Sequence, residues 1–535
     1  MVCRPVGLTG IQGETMRSML FAAFLWLAVP CIAEAAPKQP AELVGTHGYV
    51  HMSFSKGGAG ALFVSPEGGG REVRIDAFAP VPPLANIQSI GGWLPSGRYR
   101  IARWGMLEWK DGPVFEVQPG RATDLGDFIG VNVGGYKMVL MPITDPDHQG
   151  ALEAAVAPFA SLLKNPTPLR LNQDSMSPAM QMGQPSSGLG LVADLLLAYD
   201  RKLNKPSTIQ ALVAEKSPAE FLRLIRTVTL PTQDEPARLA DGTLYFPADF
   251  GQLRKRTPEG QWSNVGMETV RQILAVESDA DRLVAGSDDG VIRESLNGGT
   301  SWSVLASVGS LRSVMDIDQE SGVWVVTTAE NDAAEPNTIR LRVLVGHRQD
   351  LSDLSLSREF VVNPKDRIGW LGARGQLSDG RYYIMAGNTP QRLDLASGHW
   401  KALTPRDKIS SLRVNRSTGV LSALWSQGAF SKVYVSTDHG DSWSAIGRPP
   451  YVINDVQMDT ATSGWASRWN ANAFTGVWEM HAFSPAKNDW DKVGEAPFNC
   501  KPIRVDPELP VLCISTDASI FALRDGEWRV EFSAQ

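Results

Sequence analysis

The chain of 535 residues is predicted to be mainly β: a small β-sandwich, a short helical connector and a seven-bladed β-propeller. Three observations lead there. From about residue 231 onward, tryptophans close a series of similar units at Trp262, Trp302, Trp400, Trp443, Trp490 and Trp528, spaced 38 to 47 residues apart except for one gap of 98. The wide gap is two units, one without its signature, so the count is seven. Each well-formed unit reads as four short antiparallel strands, and residues 37–147 alternate apolar and polar residues between turn signals.

The first 36 residues read as a targeting segment. Arg17 precedes the apolar run Met19 to Ala33, and Ala33-Glu34-Ala35 supplies small residues for cleavage. The run is shorter than the ~20 residues a spanning helix needs. This predicts a bacterial periplasmic or secreted protein with no transmembrane span after cleavage. Met16 offers a second start beside Met1. Cys3 and Cys31 lie in this leader, which leaves Cys500 and Cys513. They flank "KPIRVDPELPVL", read as strand, turn centred near Asp506-Pro507, and strand. Cys500 is then expected directly opposite Cys513, giving a cross-strand disulfide.

In residues 37–147, "YVHMSFSK", "ALFVSP", "VRIDAF", "LPSGRYRIARW" and "PVFEVQPGRATDLGDF" supply the strands. Their order resembles small β-sandwich accessory domains of exported bacterial proteins, in which a Pro-Gly turn precedes a Tyr-bearing strand. Residues 148–230 change character. "ALEAAVAPFASLLK" and "GLVADLLLAYDRKL" have helical spacing, and Ser217-Pro218-Ala219-Glu220 reads as a capping box opening a third helix. The polar stretch "NPTPLRLNQDSMSPAMQMGQPSSG" between them is expected as an exposed loop.

Within 231–535 the second unit parses clearly. "VRQILAVES" and "RLVAGS" are two strands, Asp288-Asp289-Gly290 turns into "VIRESL", and "NGGT" turns into "SWSVLAS". The octet Ser436-Thr437-Asp438-His439-Gly440-Asp441-Ser442-Trp443 matches the Asp-box, or bacterial neuraminidase repeat, S-x-D-x-G-x-[ST]-W, at every defined position. Ser295 to Trp302 matches with Asn297 in place of Asp and with Gly299 at the glycine. The region therefore resembles Asp-box propellers, a superfamily that holds sialidases, other glycosidases, sorting receptors and photosystem-assembly factors. Fold follows from such a resemblance more readily than function. The box itself reads as a turn-closing device. The Ser and Asp side chains bond backbone groups, glycine takes φ > 0, and tryptophan packs between neighbouring sheets.

In a four-stranded blade the turn between the third and fourth strands lies at one end, and the turn between the second and third at the other. Ligand chemistry is sought at the latter. There the sequence offers Asp288, Asp289, Glu330 and Asp332 as carboxylates for a hydrolytic pair. It also offers Arg468, Trp469, Asn470, Asn472 and Phe474 as a loop suited to a sugar ring or a peptide. A sialidase reading fails, because the nearest match to Phe/Tyr-Arg-Ile-Pro is Tyr99-Arg100-Ile101-Ala102, which lacks proline and sits in the N-terminal region. No metal site or cofactor is expected: His47 and His51 stand ~13 Å apart along a strand, and His481 reads as a packed strand residue. A net charge of −7 argues against nucleic acid. The expected function is an exported, non-catalytic binding or scaffold protein that recruits a protein or glycan, an assembly factor among the forms this takes. The alternative is a non-sialidase glycoside hydrolase. The sequence sets no oligomeric state.

Overall fold

A computed structural model describes residues 40–534 except 57–59, 77–87, 135–136, 144–148, 165–175, 182–212, 214–215, 233, 310–311, 332–337, 364–373, 428–429, 448–454, 472–475, 498–499, 506 and 516–518. The predicted leader, the helix expected at 190–203, Asp332, Asn472 and Phe474 lie outside the described residues. The chain is mainly β. It divides into two compact units, and among the described residues no helix is long and apolar enough to cross a membrane.

The first unit comprises residues 38–365 with 517–520 and 530–535. Its N-terminal strands are β1 (His47–Lys56), β2 (Ala61–Pro66), β3 (Val73–Asp76), β4 (Gln88–Pro95), β5 (Gly97–Trp104), β6 (Leu107–Glu108), β7 (Val114–Val117), β8 (Ala122–Gly134), β9 (Lys137–Ile143) and β10 (Met180–Gln181). They form two sheets, ordered β10-β9-β8-β1-β4 and β3-β2-β5-β6 with β7 added to β5. Only β1 and β8 run parallel among these pairs. Alternation explains the core: Tyr99 and Ile101 turn inward on β5 while Arg98 and Arg100 remain exposed. Met52, Phe54, Leu62, Val64, Ile101, Trp104 and Phe128 from the two sheets share one apolar cluster.

Of the stretch expected as an exposed loop, the described residues 176–181 behave differently. Ser177 and Met180 are buried. The Ser177 amide donates to the Leu140 carbonyl (3.0 Å), and its hydroxyl accepts from the Leu140 amide (2.7 Å). Polarity misled here because the polar groups are satisfied by β9 rather than by water.

The helix Pro218–Val228 forms as the pattern suggests, with Phe221, Ile225 and Val228 on one face. Those residues fill a second cluster with Val131, Val139 and Met141 on one side and Phe250 on the other. The capping box does not close: Ser217 makes no side-chain cap bond. Glu220 instead lies 3.7 Å from Lys216 and 3.9 Å from Arg223.

From residue 237 the described chain forms seven four-stranded sheets, spanning 237–266, 273–307, 313–362, 375–402, 409–446, 455–495 and 500–533, each with strands in sequential order. The unit that lacks a tryptophan signature is the third sheet. Its third-to-fourth turn is closed instead by the Asp353 carboxylate, which accepts from the amides of His347 (2.8 Å) and Arg348 (3.1 Å). The second unit, 366–516 with 521–529, holds the fourth, fifth and sixth sheets. In the first unit, residues 530–534 return to the first sheet. Glu531 pairs with Arg256 (2.7 Å) and accepts from Trp262 Nε1 (3.0 Å).

The two octets make nearly the same bonds. In Ser436–Trp443 the Ser436 hydroxyl donates to Asp438 (2.7 Å) and accepts from the Gly440 amide (2.8 Å). Asp438 accepts from the Ser442 amide (2.9 Å) and hydroxyl (2.5 Å). Trp443 Nε1 donates to the Gly440 carbonyl (3.1 Å). Ser295, Asn297, Gly299, Ser301 and Trp302 repeat this geometry. Gly440 and Gly299 hold φ of 87° and 88°. A Cβ on Gly440 would stand 2.9 Å from the Leu403 side chain, and one on Gly299 2.4 Å from Val265. Both tryptophans belong to the turn, and the fourth strands begin one residue later, at Ser303 and Ser444.

Cys500 and Cys513 are joined by a disulfide with Cα atoms 5.4 Å apart. The register differs from the expected one: Cys500 faces Ser515 and Cys513 faces Pro502, so the bridge is diagonal. Pro510 has no amide to donate, and the returning strand starts at Leu512. The hairpin therefore closes two residues later, which preserves the face and lets the sulfurs meet.

Two outcomes are expected. Ser436→Ala should lower stability by about 1–3 kcal/mol, because the Gly440 amide loses its buried acceptor, and Gly440→Ala should lower it further; urea unfolding of both variants checks this. Unreduced protein should yield a Cys500–Cys513 linked peptide by mass spectrometry, and Cys513→Ser should cost about 2–4 kcal/mol.

Candidate functional site

Strand β1 carries small polar residues where its other face carries core. His51, Ser53 and Ser55 alternate with Met52 and Phe54, and all five are buried. The polar face meets β8 and the turn after the second strand of the second four-stranded sheet. His51 Nδ1 lies 3.0 Å from Asp124 Oδ1, the Ser53 hydroxyl donates to Asp127, and the Ser55 hydroxyl donates to Asp288. One cation stands at the centre: Arg271, itself buried, is 3.5 Å from Asp127 and 3.9 Å from Asp289.

Asp288 and Asp289, expected at an open end, are therefore enclosed, at 0% and 7% exposure. Asp289 closes its own turn by accepting from the Ser287 hydroxyl (2.5 Å) and the Val291 amide (3.3 Å). Asp288 binds its proton tightly: burial pushes its carboxyl up to about 7, Arg271 opposes that, and Asp289 and Asp249 reinforce it. Burial likewise pushes Asp127 up to about 6, against the pull of Arg271. No local pattern signals this cluster, since Ser55 and Asp288 are 233 residues apart.

Glu330 sits elsewhere, on the strand Val323–Asn331, between Arg312 (2.8 Å) and Arg342 (2.5 Å). Both of its carboxylate oxygens are thus taken up by guanidinium groups, one on Oε2 and one on Oε1.

Arg468, Trp469 and Asn470 belong to the strand Gly464–Ala471 rather than to a loop, because its pairing continues to Ala471 opposite Gly476. Arg468 (3.0 Å), Asn470 (3.0 Å), Lys492 (2.9 Å) and His481 (3.4 Å) all converge on the buried Glu479. Burial alone would raise that carboxyl, but the bonds from Lys492 and Asn470 and the charge of Arg468 bring it down to about 2. His481, on the same face, is held below the usual imidazole range by burial. Trp469 points to the other face, with its ring 5.5 Å from that of Trp478, beside the disulfide. Arg468 and Asn470 are thus committed to an internal carboxylate. Among the described residues no group of acids, histidines and cysteines is arranged to hold a metal ion.

The fifth sheet presents a different surface. Its hairpin pairs Trp425 with Lys432 and Ala423 with Tyr434, and Phe430 follows at the same period, so these side chains share one face. Arg406, in the connection entering that sheet, stacks on Trp425 at 4.1 Å and donates to the Tyr434 hydroxyl (3.3 Å). Lys432 lies 5.8 Å from the Tyr434 ring. Phe430 is 65% exposed at the hairpin end. The period-two spacing of Trp425 and of Phe430, Lys432 and Tyr434 was available in the sequence, but only pairing shows that the two strands add to one strip.

No family model matches the chain, and no curated protein matches it. Among solved structures it is similar to YCF48 bound to D1 peptide, at 11% identity and a TM-score of 0.39, covering 56% of this chain and 90% of that one. It is also similar to YCF48 from Cyanidioschyzon merolae, at 10% identity and a TM-score of 0.37, covering 56% of this chain and 92% of that one. A GH74 xyloglucanase from Xanthomonas campestris is a third, at 12% identity and a TM-score of 0.34, covering 56% of this chain and 52% of that one. All are β-propeller proteins. With TM-scores below 0.5, these likenesses assign neither activity nor ligand to this chain.

Asp288 and Asp127 take up protons more readily folded than unfolded, so they favour folding at low pH. That contribution is lost as pH rises through about 6 and then about 7. Urea midpoints should accordingly fall from pH about 4 to about 7. Asp288→Asn, which still accepts from Ser55, should flatten the upper part of the fall and stabilise the protein at the alkaline end by about 1–3 kcal/mol. A midpoint that rises with pH over this window would refute the assignment.

Proposed function

We propose that the seven four-stranded sheets are the blades of one β-propeller, and that the N-terminal pair of sheets is a β-sandwich accessory domain. The protein is exported to the periplasm or beyond and is a non-catalytic binding or scaffold protein. It engages its partner at the end of the blades where second and third strands meet. The observation that carries this reading is the fifth-sheet strip, where Phe430 is 65% exposed beside Lys432, Trp425 and Arg406. One exposed aromatic beside cations, backed by the half-buried Trp425 and the buried Tyr434, is a surface composition enriched in recognition sites.

One observation favours a glycoside hydrolase instead: Asp288, pushed up to about 7, has the proton affinity of a general acid. Against it stand the complete burial of Asp288 under Ser55 and the turn-closing bonds of Asp289. A catalytic carboxylate has to reach a glycosidic oxygen.

Full-length protein should release no reducing sugar from a polysaccharide panel. Release that is abolished by Asp288→Asn would establish the hydrolase and remove the binding reading. For export, N-terminal sequencing of periplasmic protein should find a start just after Ala35.

A further inference from the structure

The strip on the fifth sheet differs in its charge from several strands and turns around it. Cations on neighbouring strands and turns have acids to hold: Lys401 and Arg392 meet Asp441, Lys487 meets Asp491, Lys492 meets Glu495, and Arg413 meets Asp455. Arg406 and Lys432 face no carboxylate among the described residues. Their contacts are with aromatic rings and one hydroxyl. Lys408 is exposed in the same connection, where Asp407 is the one acid. In a chain of net charge −7, this hairpin end sets three cations, Arg406, Lys408 and Lys432, against one acid, Asp407.

We propose that this surface docks an acidic, extended segment of a partner protein, with Phe430 as its apolar anchor. The inference rests on the binding reading above and names the partner class. Stacking on Trp425 already orients the Arg406 guanidinium, so less side-chain freedom is lost when a carboxylate arrives. The cations flank an aromatic that offers contact area but no hydrogen bond, a combination that fits carboxylates spaced along a peptide with an apolar residue between them. A neutral sugar is less well served. Arg406 covers the Trp425 ring, and Phe430 has no group for sugar hydroxyls.

The test is a phage-displayed random 12-residue library panned on the full-length protein, with the Arg406→Glu/Lys432→Glu double variant used for subtraction. Enriched sequences should be acidic with an interspersed apolar residue. Their synthetic peptides should bind at least about tenfold more weakly to the double variant and to Phe430→Ser. Arg406→Lys/Lys432→Arg should retain most of the affinity, and all variants should keep the parent unfolding midpoint. Affinity should fall with added salt. Enrichment of neutral or basic sequences, still dependent on Phe430, would overturn the acidic partner and leave the binding reading standing. Retention on polygalacturonate that depends on Arg406 and Lys432, with no peptide enriched, would assign the surface to an acidic glycan and overturn the proposal. No dependence on Phe430, Arg406 or Lys432 in either format would overturn both.

Discussion

A four-stranded sheet has two faces and too little chain to cover either, so it is stable only when another sheet lies against it. From residue 237 onward that requirement organises the molecule within each unit. The second, third, fifth and sixth sheets use the turn between their third and fourth strands as a handle for the sheet before them. In the first unit Tyr245 donates to the Gly298 carbonyl (3.1 Å) and Arg282 to the Gln349 carbonyl (2.6 Å). In the second, Arg392 donates to the His439 carbonyl (2.6 Å), and the Gly447 amide donates to the Asn488 side chain (2.9 Å). Apolar contacts follow the same direction. Trp302 packs with Tyr245, Leu253 and Val265, and Trp443 with Tyr383 and Leu403.

The closed turn is what makes the handle usable. His439 sits at φ 60° and Gly298 at φ 63°, and each directs its carbonyl outward because Ser436 and Ser295 have already taken the next amide. Local bonding thereby fixes an acceptor that a distant strand can reach. Asp438 remains ionised in this turn: the Ser442 hydroxyl and amide bring its carboxyl down to about 2. Chemistry that looks reactive in a line of text is spent on geometry.

The buried acids of the first unit follow a different rule. Strand β1 has one apolar face and one lined by hydroxyls and an imidazole, and the second face is docked rather than solvated. A single guanidinium, Arg271, serves Asp127 and Asp289. At Asp288 burial outweighs the pull of Arg271 and the bond from Ser55, and the carboxyl is pushed up to about 7. Buried carboxylates are thus gathered where the N-terminal sheet meets the second four-stranded sheet. On the fifth sheet the imbalance is reversed, with cations stacked on rings.

The sequence by itself determined what is settled within a few residues. The repeat of four short strands, the pairing of Cys500 with Cys513, and the composition of the two octets were legible because their partners are close in the chain. It missed by two residues the register of the cysteine hairpin, where Pro510 delayed the return. It also read Arg468 to Asn470 as loop, because nothing local shows that pairing with 476–479 continues. Only the tertiary structure decided which polar groups are enclosed. Ser177 answers to Leu140, Glu479 gathers Arg468, Asn470 and Lys492, and Asp288 is covered by Ser55 across 233 positions. Burial is a property of whatever arrives from elsewhere in the chain, and it sets whether a carboxylate is a turn, a counter-ion or an acid.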